Sequence, residues 1–315
     1  MDQNGKIKGI QAVAASALFL GMAPIFGKLA ILFGFTPLAV VAFRTGIAFV
    51  LLFIIMLIFY RQFLYIFPVG LLGCLLAGFI NGIGSILYYS ALSRVDASIG
   101  QLLYSFYPIF VALWLLLDRQ TISRMTFFRL GLSLLGVFLL LQTGNSPVDW
   151  IGALLMIGSA ALYALHLLIN QRVLYEAPAP TVTLYTLMTM SVTVVGAYLI
   201  FNPTVPVLST PWWPLLLMAL ITFFSRITLF QGVKHLGGMQ TSILGLGELL
   251  VTVLLAHWWL GEHFNFLQWM GAGLLMVSLL LVGFDRLPPE KRHNTGWLAW
   301  LNPPRINPNE LPWQS

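Results

Sequence analysis

The run SILGLGELLVTVLLAHWW, from Ser242 to Trp259, carries a single carboxylate, Glu248, in a stretch otherwise made of apolar, small and aromatic residues. Counted at 1.5 Å per residue, Glu248 sits about 14 Å from the end of its apolar run, close to the middle of a hydrocarbon layer roughly 30 Å thick. Arg226, in the preceding run, lies about 10 Å from the same boundary, and Arg44 lies about 10 Å below the opposite one. Each such charge costs roughly 2.5 to 3.5 kcal/mol to insert, so each must face a cavity, a partner or an interface. Two uses of Glu248 are open. Arg226 and Glu248 neutralise each other as a structural ion pair, or the acid exchanges a proton as its hydration changes, which makes it the candidate for proton coupling. Arg44 either holds backbone carbonyls at a neighbouring helix end or meets a substrate carboxylate with its planar fork. Lys28 lies close enough to a helix end to reach headgroups.

Other polar groups fall at matching depths. Asn81 follows Gly78 in AGFINGIGSILYYS, where small residues four apart permit close helix contact. Gln101 and Tyr104 precede Pro108, which removes a backbone donor and frees a carbonyl one turn earlier; Gly245 and Gly247 loosen the segment before Glu248 in the same way. Tyr88, Tyr89, Tyr104, Tyr107 and Tyr163 are able to present rings and hydroxyls to a solute. The candidate cavity is therefore Arg44, Asn81, Tyr88, Gln101, Tyr104, Tyr163, Arg226 and Glu248. His166 stands without a nearby acid or cysteine and fits pore lining or a backbone hydrogen bond better than a metal. No metal or cofactor is expected.

The elements that hold these residues follow from composition. The 315 residues are 59% hydrophobic and 8% charged, far too apolar for a soluble surface. Apolar runs of about 20 residues recur without the strict alternation of barrel strands. Breaks at GFTP, RQFLYI, SRVD, DRQTISR, TGNSPVD, LYEAPAP, NPTVPVLSTP, KHLGG and GEHFN predict ten helices, near 10–32, 37–60, 67–91, 96–117, 125–142, 149–171, 181–201, 213–233, 239–260 and 266–284. Lys6, Lys8, Arg61, Arg119, Arg124, Arg172, Lys234, Arg286, Lys291 and Arg292 fall on one side and Arg94 on the other. The positive-inside rule then places both termini in the cytoplasm, with the inner, plasma membrane as the location, and gives the basic residues an orienting role rather than a nucleic-acid partner. Trp150, Trp212, Trp213, Trp258 and Trp259 mark the outer boundary. The single cysteine, Cys74, offers neither a disulfide nor a thiolate site.

The chain also resembles itself. GLSLLGVFLLL from Gly131 matches GAGLLMVSLLL from Gly271, 140 positions on, and AASALF near Ser16 matches GSAALY near Ser159. Five helices per copy is an odd number, so the second copy enters the membrane inverted, the arrangement associated with alternating access about a midplane site. This predicts an all-α integral membrane fold of ten transmembrane helices as two inverted-topology five-helix repeats, residues 1–145 and 146–284. A Pro-rich cytoplasmic tail follows over 285–315, in which Trp297, Trp300 and Leu301 either form a short face on the inner leaflet or belong to an irregular segment.

Several motifs resemble the EamA-type transporters of the drug/metabolite transporter superfamily: FR at Phe43 and Arg44, YYSAL at Tyr88 to Leu92, YPIFVALWLLL from Tyr107, and GELLVTVLLAHWWLGEHFNFLQWMGAGLL from Gly247. Leu249 stands where that family pattern usually has proline, and DRQTIS replaces the first-half GE turn. The resemblance implies helices 1–4 and 6–9 around a central cavity, helices 5 and 10 at the periphery, and secondary transport of small metabolites, often amino acids and often outward. The absence of a G-x-x-x-x-G-K-[ST] loop agrees with transport without ATP. The expected function is thus a transporter, not an enzyme, exporting amino acids or related carboxylate-bearing solutes, with membrane lipids around it and protons as a possible coupling ion. A lipid or lipid-linked sugar flippase is the alternative. An integral membrane lipid transferase would need paired acids, a His/Asp set or metal ligands that the sequence lacks.

Overall fold

The computed structural model of the protein describes residues 3–95, 97–120, 122–140, 149–201, 210–259, 265–284 and 296–301, and these contain helices and no strand. In chain order they are α1 (Gln3–Leu32), α2 (Pro37–Phe59), α3 (Pro68–Leu92), α4 (Ala97–Tyr104), α5 (Tyr107–Leu117), α6 (Arg124–Leu140), α7 (Trp150–Leu174), α8 (Ala179–Phe201), α9 (Trp213–Gly245), α10 (Gly247–Trp259) and α11 (Phe266–Leu280), with short 3-10 turns at Arg61–Leu64, Leu281–Phe284 and Ala299–Leu301. Seven helical stretches among the described residues are long and apolar enough to cross a membrane. Their lengths and the density of apolar surface facing outward make this a multi-pass membrane protein.

Local chemistry sets the boundaries. Thr36 accepts the Ala39 N–H at 3.2 Å and Pro37 opens α2 at a position where no amide is needed. Asp149 caps α7 by accepting the Ile151 and Gly152 amides at 2.8 and 3.2 Å, and its carboxylate meets Arg94 at 3.3 Å. The Gly152 amide above all, with Arg94 and the Ile151 amide, holds the Asp149 carboxyl below its ordinary value.

α1 packs along α9, α3 along α7 and α8, α2 along α8 and α9, and α6 against α11. Gly78 lets α3 approach α8 so closely that an added Cβ would meet the Thr186 carbonyl; Gly136 does the same for α6 against the Gly271 carbonyl of α11. These contacts leave α1–α5 and α7–α10 around the centre and pair α6 with α11.

Several sequence expectations change here. The run 96–117 is not one helix: it breaks at Ser105 and Phe106, where Ser105 N–H and Oγ both turn back to the Gln101 carbonyl at 2.9 and 2.7 Å. The break expected at KHLGG falls at Gly237 (φ 79°, ψ 166°), which separates the two helical parts of α9, whereas a further break, inside the predicted ninth helix, falls at Leu246. Lys28 does not reach headgroups; its ammonium donates to the Leu92 and Val95 carbonyls at 2.9 and 3.0 Å and so caps α3. Trp212 packs edge-on against Phe35 and Phe43, with centroids at 5.1 and 5.4 Å, rather than lying at the lipid boundary, whereas Trp150 and Trp213 are exposed. The side chains of Trp258 and Trp259 lie outside the described residues.

Three charges assigned to loops, or passed over, are buried. Arg129 of α6 donates to the Ser278 carbonyl at 3.0 Å and to the Gln240 side chain, which stitches α6 to α11 and α9. Arg172 is not a loop cation: it forms a buried ion pair with Asp118. In the tail, Leu298 is buried in the main core while Trp297 and Trp300 are exposed; the Leu301 side chain lies outside the described residues.

The backbone at Gly237 lies in a region that side-chain-bearing residues avoid. Gly237→Ala is expected to cost about 1–3 kcal/mol, read as a lower melting temperature in detergent. Gly131→Ala, at a helical position where an added Cβ meets nothing within 4 Å, should be neutral or stabilising. Equal melting of the two variants would contradict this account of the kink.

Candidate functional site

The two helix breaks are the starting point. A helix that stops inside a membrane leaves amides and carbonyls unpaired within the chain, so the break must line protein or a cavity. Here both breaks line the same space: Gln101 and Tyr104 come from the last turns of α4, and Glu248 from the first turn of α10. Arg44 enters from α2, Asn81, Ser85, Tyr88 and Tyr89 from α3, Ser159 and Tyr163 from α7, and Arg226 from α9. Leu20 and Ala23 of α1 add an apolar edge, and the cavity is about 60 Å³, room for a few water-sized groups.

All eight residues singled out from the sequence therefore face one cavity. Their polar groups are arranged as follows. Arg44 donates to Thr222 Oγ1 at 3.2 Å and its guanidinium lies 4.8 Å from the centre of the Tyr89 ring; no helix-end carbonyl holds it, contrary to one of the two expectations. The Arg226 guanidinium lies 5.9 Å from the Tyr163 ring centre. Tyr88 donates to Gln101 Oε1 at 2.9 Å, which turns the Gln101 amide nitrogen toward the Glu248 carboxylate. Asn81 Nδ2 contacts Met190 Sδ at 3.1 Å.

The expected ion pair is absent. Arg226 and Glu248 share the cavity but do not pair: Arg226 Nε and Nη1, Arg44 Nε and Glu248 Oε1 have no hydrogen-bond partner in the protein. Such groups cost about 1–3 kcal/mol apiece when buried and unsatisfied, more when charged. A site that keeps two guanidiniums and a carboxylate apart is built to give them to something else.

The tyrosines form the wall between. Tyr104 packs against Tyr88 at 5.1 Å and Tyr163 at 5.5 Å, and Tyr163 against Tyr107 at 5.2 Å. His166 stacks behind Tyr163 at 5.9 Å and bonds the Ala77 carbonyl at 3.1 Å through Nδ1, a backbone role outside the cavity lining. No metal-holding cluster of His, Cys, Asp or Glu occurs among the described residues. Sequence reasoning did not place Ser85, Ser159, Leu20 or Ala23 in the lining, and it named Tyr89 and Tyr107 among the tyrosines without including either in the cavity set; Tyr89 lines it and Tyr107 does not. For Tyr89 the signal existed in the YYSAL pair; for the serines it did not, because a small hydroxyl in a helix usually bonds its own backbone.

The model of the EamA-like transporter family matches the chain twice, over residues 7–142 and 150–284. The protein named Uncharacterized transporter sll1319 of Synechocystis sp. is 26% identical over 236 residues, 71% of this chain and 69% of its own length. Uncharacterized transporter YcbK of Bacillus subtilis is 24% identical over 223 residues, 66% of this chain and 70% of its own. One crystal structure superposes with a TM-score of 0.71 at 15% identity, covering 90% of this chain and 98% of its own, a likeness of fold.

Arg226 and Arg129 are both buried, yet only Arg129 is tied to neighbouring helices by hydrogen bonds. Arg129→Met is expected to lower stability by roughly 1.5–3 kcal/mol. Arg226→Met gives up no hydrogen bond to the protein and should leave the melting temperature of the purified protein level or raise it. A loss at Arg226 as large as that at Arg129 would mark Arg226 as scaffold.

Proposed function

The chain belongs to the EamA-like transporter family, and from that premise we propose that it is a secondary transporter exporting amino acids or related carboxylate-bearing solutes by alternating access. The observation that carries this reading is the cavity itself: two guanidiniums without carboxylate partners, and a carboxylate without a cationic one, walled by tyrosines. A zwitterion satisfies both ends at once, its carboxylate on Arg44 or Arg226 and its ammonium near Glu248. A cavity of about 60 Å³ is narrower than a bound metabolite needs, so in this reading a solute enters as the two ends open in turn, and a two-chain lipid would need a far larger opening.

Alternating access needs two structures of similar energy from one sequence, and inverted repeats supply them. Ten crossings follow if α4 and α5 form one and the Gly237 kink divides the Trp213–Thr252 stretch into two. Its 40 residues would otherwise extend about 60 Å as one helix, twice the hydrocarbon thickness. Specific contacts support a twofold relation between residues 1–145 and 146–284. Ser16 Oγ donates to the Ser225 carbonyl at 3.1 Å and Ser159 Oγ to the Gly84 carbonyl at 2.7 Å, the same bond with the halves exchanged. Gly9 lies against His235 and Leu236, and Gly152 against Arg94 and Val95. Lys28 binds the Val95 carbonyl; its match, Gln171, accepts the Gly238 amide at 2.8 Å. The helix breaks at Ser105 and Leu246 are 141 positions apart.

The one-sided distribution of loop cations supports cytoplasmic termini in a plasma membrane. Glu248 is the proton-coupling residue in this reading, because its carboxylate is the acid at the cavity and is not neutralised by Arg226.

Two measurements test it. Purified protein screened by thermal shift against amino acids, organic acids, sugars, nucleosides and lipids should be stabilised by an amino acid or a related carboxylate, by about 2.7 kcal/mol at a hundredfold excess over Kd; stabilisation by lipids alone would replace the transporter with the flippase. In reconstituted vesicles Glu248→Gln should keep counterflow exchange and lose pH-driven accumulation. Wild-type pH-driven uptake in that variant would remove Glu248 from the coupling step.

A further inference from the structure

The tail residues Gly296–Leu301 are held at the end of the bundle formed by the start of α3 and the ends of α5 and α7. The anchor is Asp118, which closes α5. Its carboxylate is buried, pairs with Arg172 of α7, accepts Gln120 Nε2 at 2.7 Å, and accepts the Leu298 amide at 3.0 Å. Leu298 is 1% exposed and sits in the same apolar cluster as Phe67, Cys74, Leu115 and Tyr163. Trp297 lies 6.0 Å from Trp114 of α5. The chain reaches Asp118 through Gly296, whose φ of 102° and contact with the Asp118 carboxylate and carbonyl leave no room for a Cβ. These features define a fitted contact, with a hydrogen bond, an apolar insertion and a conformational requirement at three successive residues.

We propose that this segment is a latch that holds the cavity shut at that end, and that its release admits solute from the side on which the tail lies. α3 and α5 belong to the first half of the chain and α7 to the second, so the tail is fastened to both halves where they pack together, over the Asp118–Arg172 pair, and its release loosens that seam. The proposal rests on the alternating-access reading for its consequence, though not for its geometry. Among the described residues the opposite end lacks this ion pair: the first-half position that matches Arg172, 143 residues earlier, is Leu29, an apolar residue. A device present at one end of a twofold scaffold biases the equilibrium between its two open states. The latch therefore favours the state closed on the tail's side, and any change that withdraws Leu298 shifts the population toward the other.

Cys74, the single cysteine of the chain, is buried in the cluster that Leu298 enters and reports on the latch without knowledge of the substrate. The full-length protein in vesicles is labelled with N-ethylmaleimide and the rate at Cys74 followed by mass spectrometry. Gly296→Val and Leu298→Asp should each raise that rate about tenfold, the change expected when a minor open state becomes common, with the melting temperature held near that of the parent. Trp300→Ala, at an exposed ring of the same segment, should label like the parent. If Leu298→Asp does not fold, Gly296→Val decides. Parental labelling in folded Gly296→Val overturns the latch, as does equal acceleration in Trp300→Ala. A failed substrate screen would overturn the transport reading and leave this result standing.

Discussion

An ionised side chain in hydrocarbon must be given to a partner, to water or to a cavity, and the rest of this structure follows from how Arg44, Arg226 and Glu248 meet that demand. Paired with each other they would be inert. Kept apart in one space, they require breaks that bring backbone and side chains to mid-depth, tyrosines whose rings face the guanidiniums, and an amide, Gln101, oriented by Tyr88 so that its nitrogen meets the acid. The scaffold around them is correspondingly tight: small residues at α3 and α6 bring helices into backbone contact.

The same chain shows the opposite solution a short distance away. Arg129 is bonded across three helices, Arg172 is paired with Asp118, and Lys28 caps α3. Arg129 and Arg172 are as buried as the cavity charges, and all three are tied by hydrogen bonds to other helices of the protein. Chemically identical guanidiniums thus divide into structural and available ones by their partners, not by burial. That distinction is the basis for assigning a site.

The cavity was legible in the sequence because polar residues at mid-depth have few places to go: all eight named from their types and depths face one space. The all-helical architecture was legible for the same reason, since only helices or closed barrels span a membrane and the apolar runs lack alternation. What escaped lay near helix ends. Asp118 and Arg172 border polar turns, where a solvated loop charge and a buried pair have the same sequence signature. Leu298, a leucine in a proline-rich tail, gives no sign of the cluster it enters. The break at Gly237, by contrast, was legible: it falls in KHLGG, where charge and paired glycines interrupt the apolar pattern.

If the two halves are compared at the displacement that the proposed repeat gives, the two breaks differ in their chemistry. In the first half Pro108 removes an amide one turn into α5; the matching position, 141 residues on, is Leu249, and the break survives because Gly245 and Gly247 flank Leu246. Two different chemistries interrupt the helix at one place. The side chains there diverge further: Glu248 matches Tyr107, and Arg226 matches Ser85, at the same displacement. Glu248 gains from the first turn of α10, where the helix dipole favours negative charge, while Tyr107 offers only a hydroxyl to the equivalent turn of α5. Positions related by one displacement therefore line a cavity asymmetric in charge, with the acid contributed by the second half and a tyrosine by the first.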